Sequence, residues 1–161
     1  MDNFSITQYG KPLNKSKYSI DLDTKAFSTK EDNLVLDFDD LADWTFKTGS
    51  DCTFTTGAYC TFNTGSNCTF NTGSDCTFTT GAYCTFTTGS HCTFKTGEDC
   101  TFTTAYSCTF TTGSHCTFML YDINTCKFKT YDDISIILDR NDSKHYVLTK
   151  ELMYMLKVKN G

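Results

Sequence analysis

Nine cysteines stand at positions 52, 60, 68, 76, 84, 92, 100, 108 and 116, every eighth residue of the chain. A phenylalanine lies two residues after each of them, from Phe54 to Phe118, and Trp44 with Phe46 begins the register one step earlier. The unit is Cys-Thr-Phe-x-Thr-Gly-Ser-x, running from Trp44 to about Ile123. Self-similarity at a fixed short period is the mark of a solenoid, because one repeat cannot bury its own apolar face and must stack on the next. A tenth cysteine, Cys126, keeps the pattern with Phe128 after a two-residue insertion, and Leu36-Asp37-Phe38 and Ile134-Ser135-Ile136 read as degenerate copies.

Each octad reads as a strand followed by a corner. Cys and Phe, two apart, point to the same side of an extended chain, and the Thr between them points away. Thr and Phe favour strands, and Thr-Gly-Ser supplies turn chemistry. The corner glycine, as at Gly81, is expected to take a positive φ. A helix is excluded, since a period of eight drifts off any 3.6-residue face. The expected fold is all-β: a parallel β-solenoid with a core ladder of Cys52, Phe54, Cys60, Phe62, Cys68, Phe70, Cys76, Phe78, Cys84, Phe86, Cys92, Phe94, Cys100, Phe102, Cys108 and Phe110.

The number of octads per coil is read from the residue before each cysteine: Asp51, Tyr59, Asn67, Asp75, Tyr83, His91, Asp99, Ser107, His115. Shifted by three octads, four of six comparisons are identical; shifted by two, none of seven is. The 24-residue unit favours a three-sided coil. Electrostatics favours the two-sided alternative of 16 residues, because three sides would put Asp51, Asp75 and Asp99 in one column of like charge. The three-sided coil is the expectation.

The ends differ in kind. Residues 1–35 are expected to cap the first coil with a strand or two, residues 36–141 to form the solenoid, and residues 142–161 to form a C-terminal cap. In that cap Val147, Leu148, Leu152, Met153, Met155 and Leu156 have helix-like spacing, with Thr149 as N-cap of a short amphipathic helix. Such a helix would cover open backbone edges.

The run from Cys60 to Asp75, CTFNTGSNCTFNTGSD, resembles octapeptide-repeat proteins of large DNA viruses and phages. The likeness covers about 80 of the 161 residues. It implies a β-solenoid, possible residence in a host cytoplasm or virion, and no particular activity. Ala105-Tyr106-Ser107 departs from the corner that bears glycine.

Candidate chemistry is sparse. Structural zinc sites use close pairs, and no two cysteines here are nearer than eight residues. Reduced Cys is among the most buried residue types, so the thiols are read as core residues in a reducing cytoplasm, with no metal and no cofactor. The N-terminal MDNFSITQYG lacks the basic and apolar regions of an export signal, and no apolar run is long enough for a membrane helix. The expectation is a cytoplasmic, non-secreted protein without a membrane partner. His91 and His115 have no neighbouring Ser or Asp arrangement that would nominate them for catalysis.

The sharper lead is the outward threonines. Thr53/Thr55, Thr77/Thr79 and Thr101/Thr103 would form three ranks on one side of a three-sided coil, and such Thr-x-Thr ranks resemble those of insect ice-binding solenoids. With the corner tyrosines Tyr59 and Tyr83 they make up the candidate binding surface. A net charge of −5, and only five acidic and two basic groups over the strict repeat, are thin for an acidic nucleic-acid mimic and give no basic patch for nucleic acid itself. The functional expectation is a non-catalytic scaffold or protein-interaction module with an unidentified protein partner, a homodimer being compatible with it. Ice binding and nucleic-acid mimicry are the alternatives.

Overall fold

A computed structural model describes residues 4–121, 125–130, 134–138 and 144–148. The described chain is all-β, with helix confined to short 3-10 turns such as Lys15–Lys17. Strands are numbered in chain order and form two sheets. Sheet A runs, in spatial order, β18 (Lys144–Leu148), β17 (Ile134–Leu138), β15 (Thr117–Leu120), β13 (Thr101–Thr104), β11 (Thr85–Thr87), β9 (Thr69–Thr72), β7 (Thr53–Thr56), β5 (Leu34–Asp37), β1 (Ser5–Gln8) and β2 (Lys11–Pro12). Sheet B runs β16 (Lys127–Thr130), β14 (Thr109–Thr112), β12 (Thr93–Lys95), β10 (Thr77–Thr79), β8 (Thr61–Asn63), β6 (Thr45–Lys47), β4 (Ala26–Thr29) and β3 (Tyr18–Asp21).

The coil is two-sided. Thr53 pairs with Thr69, and Thr61 with Thr77, so one turn takes 16 residues and successive octads alternate between the sheets. The expected three-sided coil is therefore corrected. The 24-residue likeness is a property of the sequence and not of the coil: three octads are out of step with a two-octad turn, so a residue and its copy 24 positions on fall at opposite corners. Like residues return to one corner only after 48 positions, three coils or about 14 Å at the usual strand spacing. Asp51 and Asp99 thus share a corner with Asn67 and Tyr83 between them, while Asp75 stands at the other. At that separation, beyond a physiological Debye length, exposed charges barely repel.

Two sheets explain the Phe-Cys interior. Phe rings 16 apart stack at 4.9 Å with planes 3° apart, as in Phe62–Phe78 and Phe70–Phe86. Rings eight apart meet edge to face across the core, Phe70–Phe78 at 5.2 Å and 72°. Each ring thus has both of the geometries that the aromatic quadrupole favours. The whole predicted ladder, Cys52 to Phe110, is buried, along with Trp44, Phe46, Cys116 and Phe118. Four residues after each cysteine a third inward residue completes the coil: Thr56, Thr64 and Thr72 are buried, each donating its hydroxyl to the carbonyl of the next glycine.

The corners correct a second expectation. The residue before each cysteine takes the left-handed conformation, from Asp51 at φ 57° through Tyr59 at 59° to His115 at 57°. The corner glycines do not; Gly10, outside the repeat, has φ 73°. A non-glycine residue there costs about 1–2 kcal/mol. It is held because its N–H bonds the coil above, as Asn67 does to the Ala82 carbonyl at 3.0 Å. Glycine is needed for proximity instead. A Cβ on Gly73 would lie 2.8 Å from the Ala58 nitrogen, and one on Gly81 would strike the Ser66 hydroxyl.

The ends close antiparallel. β4 and β5 already pair in parallel with β6 and β7, so the coil starts at Ala26, ten residues before the expected boundary. Beyond them β1, β2 and β3 run antiparallel, and the outermost strand of sheet A carries Pro12, which has no N–H to offer another chain. At the other end β18 pairs antiparallel with β17, so Val147 and Leu148, assigned above to a helical cap, are in a strand. The helix itself, expected after Thr149, lies outside the described residues.

Candidate functional site

The coil has two outer faces with different chemistry. On sheet A the outward pairs are Thr53/Thr55, Thr69/Asn71, Thr85/Thr87, Thr101/Thr103 and Thr117/Met119, five consecutive rungs without a charge. On sheet B they are Thr45/Lys47, Thr61/Asn63, Thr77/Thr79, Thr93/Lys95, Thr109/Thr111 and Lys127/Lys129. The two faces arise from one repeat because, of the two outward strand positions, the fourth of the octad varies while the second stays Thr through the strict repeat, and alternate octads go to opposite sides. All ten outward side chains of the five sheet A rungs are exposed or half-buried.

The candidate threonines do not gather as expected. Thr53, Thr55, Thr101 and Thr103 lie on sheet A with two rungs between them, while Thr77 and Thr79 are on sheet B, with the Phe core in between. Their grouping presumed a 24-residue coil. What the sequence reading missed is that Thr69, Asn71, Thr85 and Thr87 fill the gap on sheet A. Their signal, lysine at 47 and 95, an even number of octads apart and so on one side of a two-octad coil, could be read once the coil length was known. Tyr59 and Tyr83, 61% and 57% exposed, stand at opposite corners.

The corner columns collect the charged groups. One holds Asp51, Asn67, Tyr83, Asp99 and His115; the other holds Tyr59, Asp75, His91 and Ser107. The single column of Asp51, Asp75 and Asp99 that a three-sided coil would make does not form. Among the described residues no three His, Cys, Asp or Glu side chains come within reach of one ion.

The cysteines form two internal columns, Cys52-68-84-100-116 and Cys60-76-92-108, behind the two corners. All are free thiols. Each donates to the backbone carbonyl two residues earlier, and those from Cys68 to Cys116 also lie near the glycine carbonyl of the coil below: Cys68 Sγ is 3.4 Å from Ser66 O and 3.9 Å from Gly49 O. Hydrogen bonding along each column splits its thiols, pushing Cys60, Cys68, Cys92 and Cys100 above the ordinary thiol range and drawing Cys52, Cys76, Cys84, Cys108 and Cys116 below it, while burial pushes every one of them up. All nine side chains are closed off from solvent, which keeps reagents and metal ions from them in the folded coil.

One corner is irregular. Thr104 Oγ1 is buried without a hydrogen-bond partner, whereas Thr96 and Thr112 donate to the glycines that follow them. The residue following Thr104 is Ala105, whose methyl group occupies the position glycine leaves free elsewhere. Tyr106 next to it keeps its N–H on Ser90 Oγ at 3.3 Å.

No protein-family model matches the chain, and neither the curated proteins nor the solved structures contain a match to it.

Proposed function

We propose that this chain is a non-catalytic binding scaffold whose working surface is the outside of the coil, chiefly the uncharged face of sheet A. One observation carries the reading: the inside is filled with stacked Phe, buried Cys and hydrogen-bonded Thr, so chemistry that varies from octad to octad is confined to outward and corner positions. The corners bring some varying groups onto neighbouring coils, Asp75, His91 and Ser107 on one side and Asp99 and His115 on the other, so the scaffold reading rests on the filled interior and not on their separation.

The lysines of sheet B weigh against duplex mimicry, because a mimic needs negative charge along its length and Lys47, Lys95, Lys127 and Lys129 interrupt it. The test is a comparison of baits: wild type, Thr85→Lys/Thr87→Lys on sheet A, and Thr77→Lys/Thr79→Lys on sheet B, each checked for an unchanged urea midpoint. The reading expects material bound by wild type to be lost from the sheet A variant and kept by the sheet B variant. Identical binding by all three would overturn it.

A further inference from the structure

The five-rung face of sheet A has a symmetry that restricts what it can recognise. Successive coils are nearly pure translations: rings 16 residues apart keep planes within 3° of one another and centroids at 4.9 Å from Phe62 to Phe102. Ordinary sheets rotate by roughly 20–25° per strand. The outward hydroxyls and methyls therefore lie on a near-planar lattice, with about 4.8 Å between rungs and roughly 7 Å between the two columns.

Such a face gives a globular partner little to hold. Each rung nearly repeats the last, so a partner moved by one coil meets almost the same surface and no single register is preferred. The aromatic and arginine anchors that carry most protein interfaces are absent from the outward positions between Thr53 and Thr117. Five rungs cover about 24 Å by 10 Å, on the order of 240 Å², whereas each side of a stable complex buries about 800 Å². A second copy laid face to face has the same shortfall. Sugar chains are bound mainly by stacking on rings, and none stands on these rungs.

The ligand that shares the symmetry is a crystal. Resting on the scaffold reading above, we propose that the sheet A face binds ice. Each Thr hydroxyl donates and accepts, as a water molecule in the lattice does, and each methyl packs without holding water of its own. The absence of charge matters, since a lysine keeps a strongly held hydration shell that a crystal plane cannot share. Sheet B, with the same backbone and threonines but Lys47 and Lys95 among them, is a control within the molecule. Asn71 and Met119 are the two departures from Thr on the binding face; both are uncharged.

The test is thermal hysteresis at millimolar protein, together with uptake of fluorescently labelled protein into a growing ice hemisphere. Wild type and Thr77→Lys/Thr79→Lys are expected to show hysteresis and to enter the ice. Thr85→Lys/Thr87→Lys is expected to lose at least tenfold in hysteresis and to be excluded; Thr85→Ala/Thr87→Ala takes its place if the lysines lower the urea midpoint. No hysteresis and no uptake by folded wild type, or equal activity of the sheet A and sheet B variants, overturns the proposal. If ice is refused but the sheet A variant still loses bound material, only the ice proposal falls. If neither depends on sheet A, the scaffold reading falls with it.

Discussion

Replacing Gly81 by alanine separates two explanations of why the octad carries glycine. Gly81 does not take a positive φ, so alanine is compatible with its backbone. In open space the change would stabilise the fold by about 0.4–1 kcal/mol, by restricting the unfolded chain. Close approach reverses the sign. The new Cβ would lie 3.0 Å from the Ser66 nitrogen and 3.1 Å from its Cα, and would strike its hydroxyl. To clear them the corner must lift, which breaks the 3.2 Å bonds from Gly81 N–H to the Gly65 carbonyl and from Thr80 Oγ1 to the Gly81 carbonyl. At about 0.5–1.5 kcal/mol each, their loss outweighs the entropic gain and leaves a net destabilisation of about 1–2 kcal/mol. For a chain of this length that is a fall of roughly 2–8 °C in Tm. The native precedent is Ala105, where the preceding Thr104 hydroxyl has already lost its partner. Urea unfolding followed by far-ultraviolet circular dichroism reads the effect, with Gly10→Ala as a contrast: that site has a positive φ and nothing within 4 Å, so its cost is conformational alone. A Gly81→Ala midpoint equal to or above wild type would refute the close-approach account.

Phe78 touches four rings, Phe62 and Phe94 by stacking at 4.9 Å and Phe70 and Phe86 edge-on at 5.2 Å, so Phe78→Ala should cost about 3–5 kcal/mol; a melt shifted by less than a degree would place the ring outside the core. Ser66 Oγ accepts the Ala82 N–H at 3.2 Å, and Ala82→Ser should extend that column by accepting the Glu98 N–H, raising stability by about 0.5–1.5 kcal/mol in urea titration. A neutral alkylating reagent should modify the half-buried Cys126 of the native protein well before the nine buried cysteines, and all ten once urea is added; mass spectrometry showing rapid multiple labelling without denaturant would contradict a closed core. Stability should fall above about pH 8.5: Cys60, Cys68, Cys92 and Cys100, raised in the fold, ionise first in the unfolded chain and lose their contribution there; Cys52, Cys76, Cys84, Cys108 and Cys116, lowered in the fold, act in the opposite sense, and burial, which raises all nine, makes the net change a fall. Midpoints that rise between pH 8 and 10 would count against the thiol columns.

The strand-and-corner reading of the octad was legible because side-chain alternation is local: Cys52 and Phe54 must share a face whatever the coil does. The coil length was not, and the reason is physical. The likeness of Asp51 to Asp75 records how the chain was duplicated, whereas the coil is set by which interior packs solid, and two sheets let every Phe both stack and meet an opposing edge. The like-charged column that Asp51, Asp75 and Asp99 would form on three sides is the repulsion that a two-sided coil avoids. The corner glycine differs from its expectation for a related reason. Positive φ is a local property and a natural inference from Thr-Gly-Ser, but the constraint on Gly73 comes from Ala58 in the coil below, which no local pattern reports. The candidate surface inherits both lessons. A three-sided coil would put Thr77 between Thr53 and Thr101; in the two-sided coil Thr69 and Thr85 stand there instead, so the working face is longer than expected and free of the lysines that interrupt the sheet B face. A variable octad position is thus sorted by coil parity into one uncharged face and one cationic face, and moving a single lysine by eight residues would carry it from one to the other. For that reason Asn71→Lys should abolish what the sheet A face does while Asn63→Lys, one octad earlier with the same chemistry, should leave it intact; equal effects of the two would mean that the parity of the coil does not organise the function.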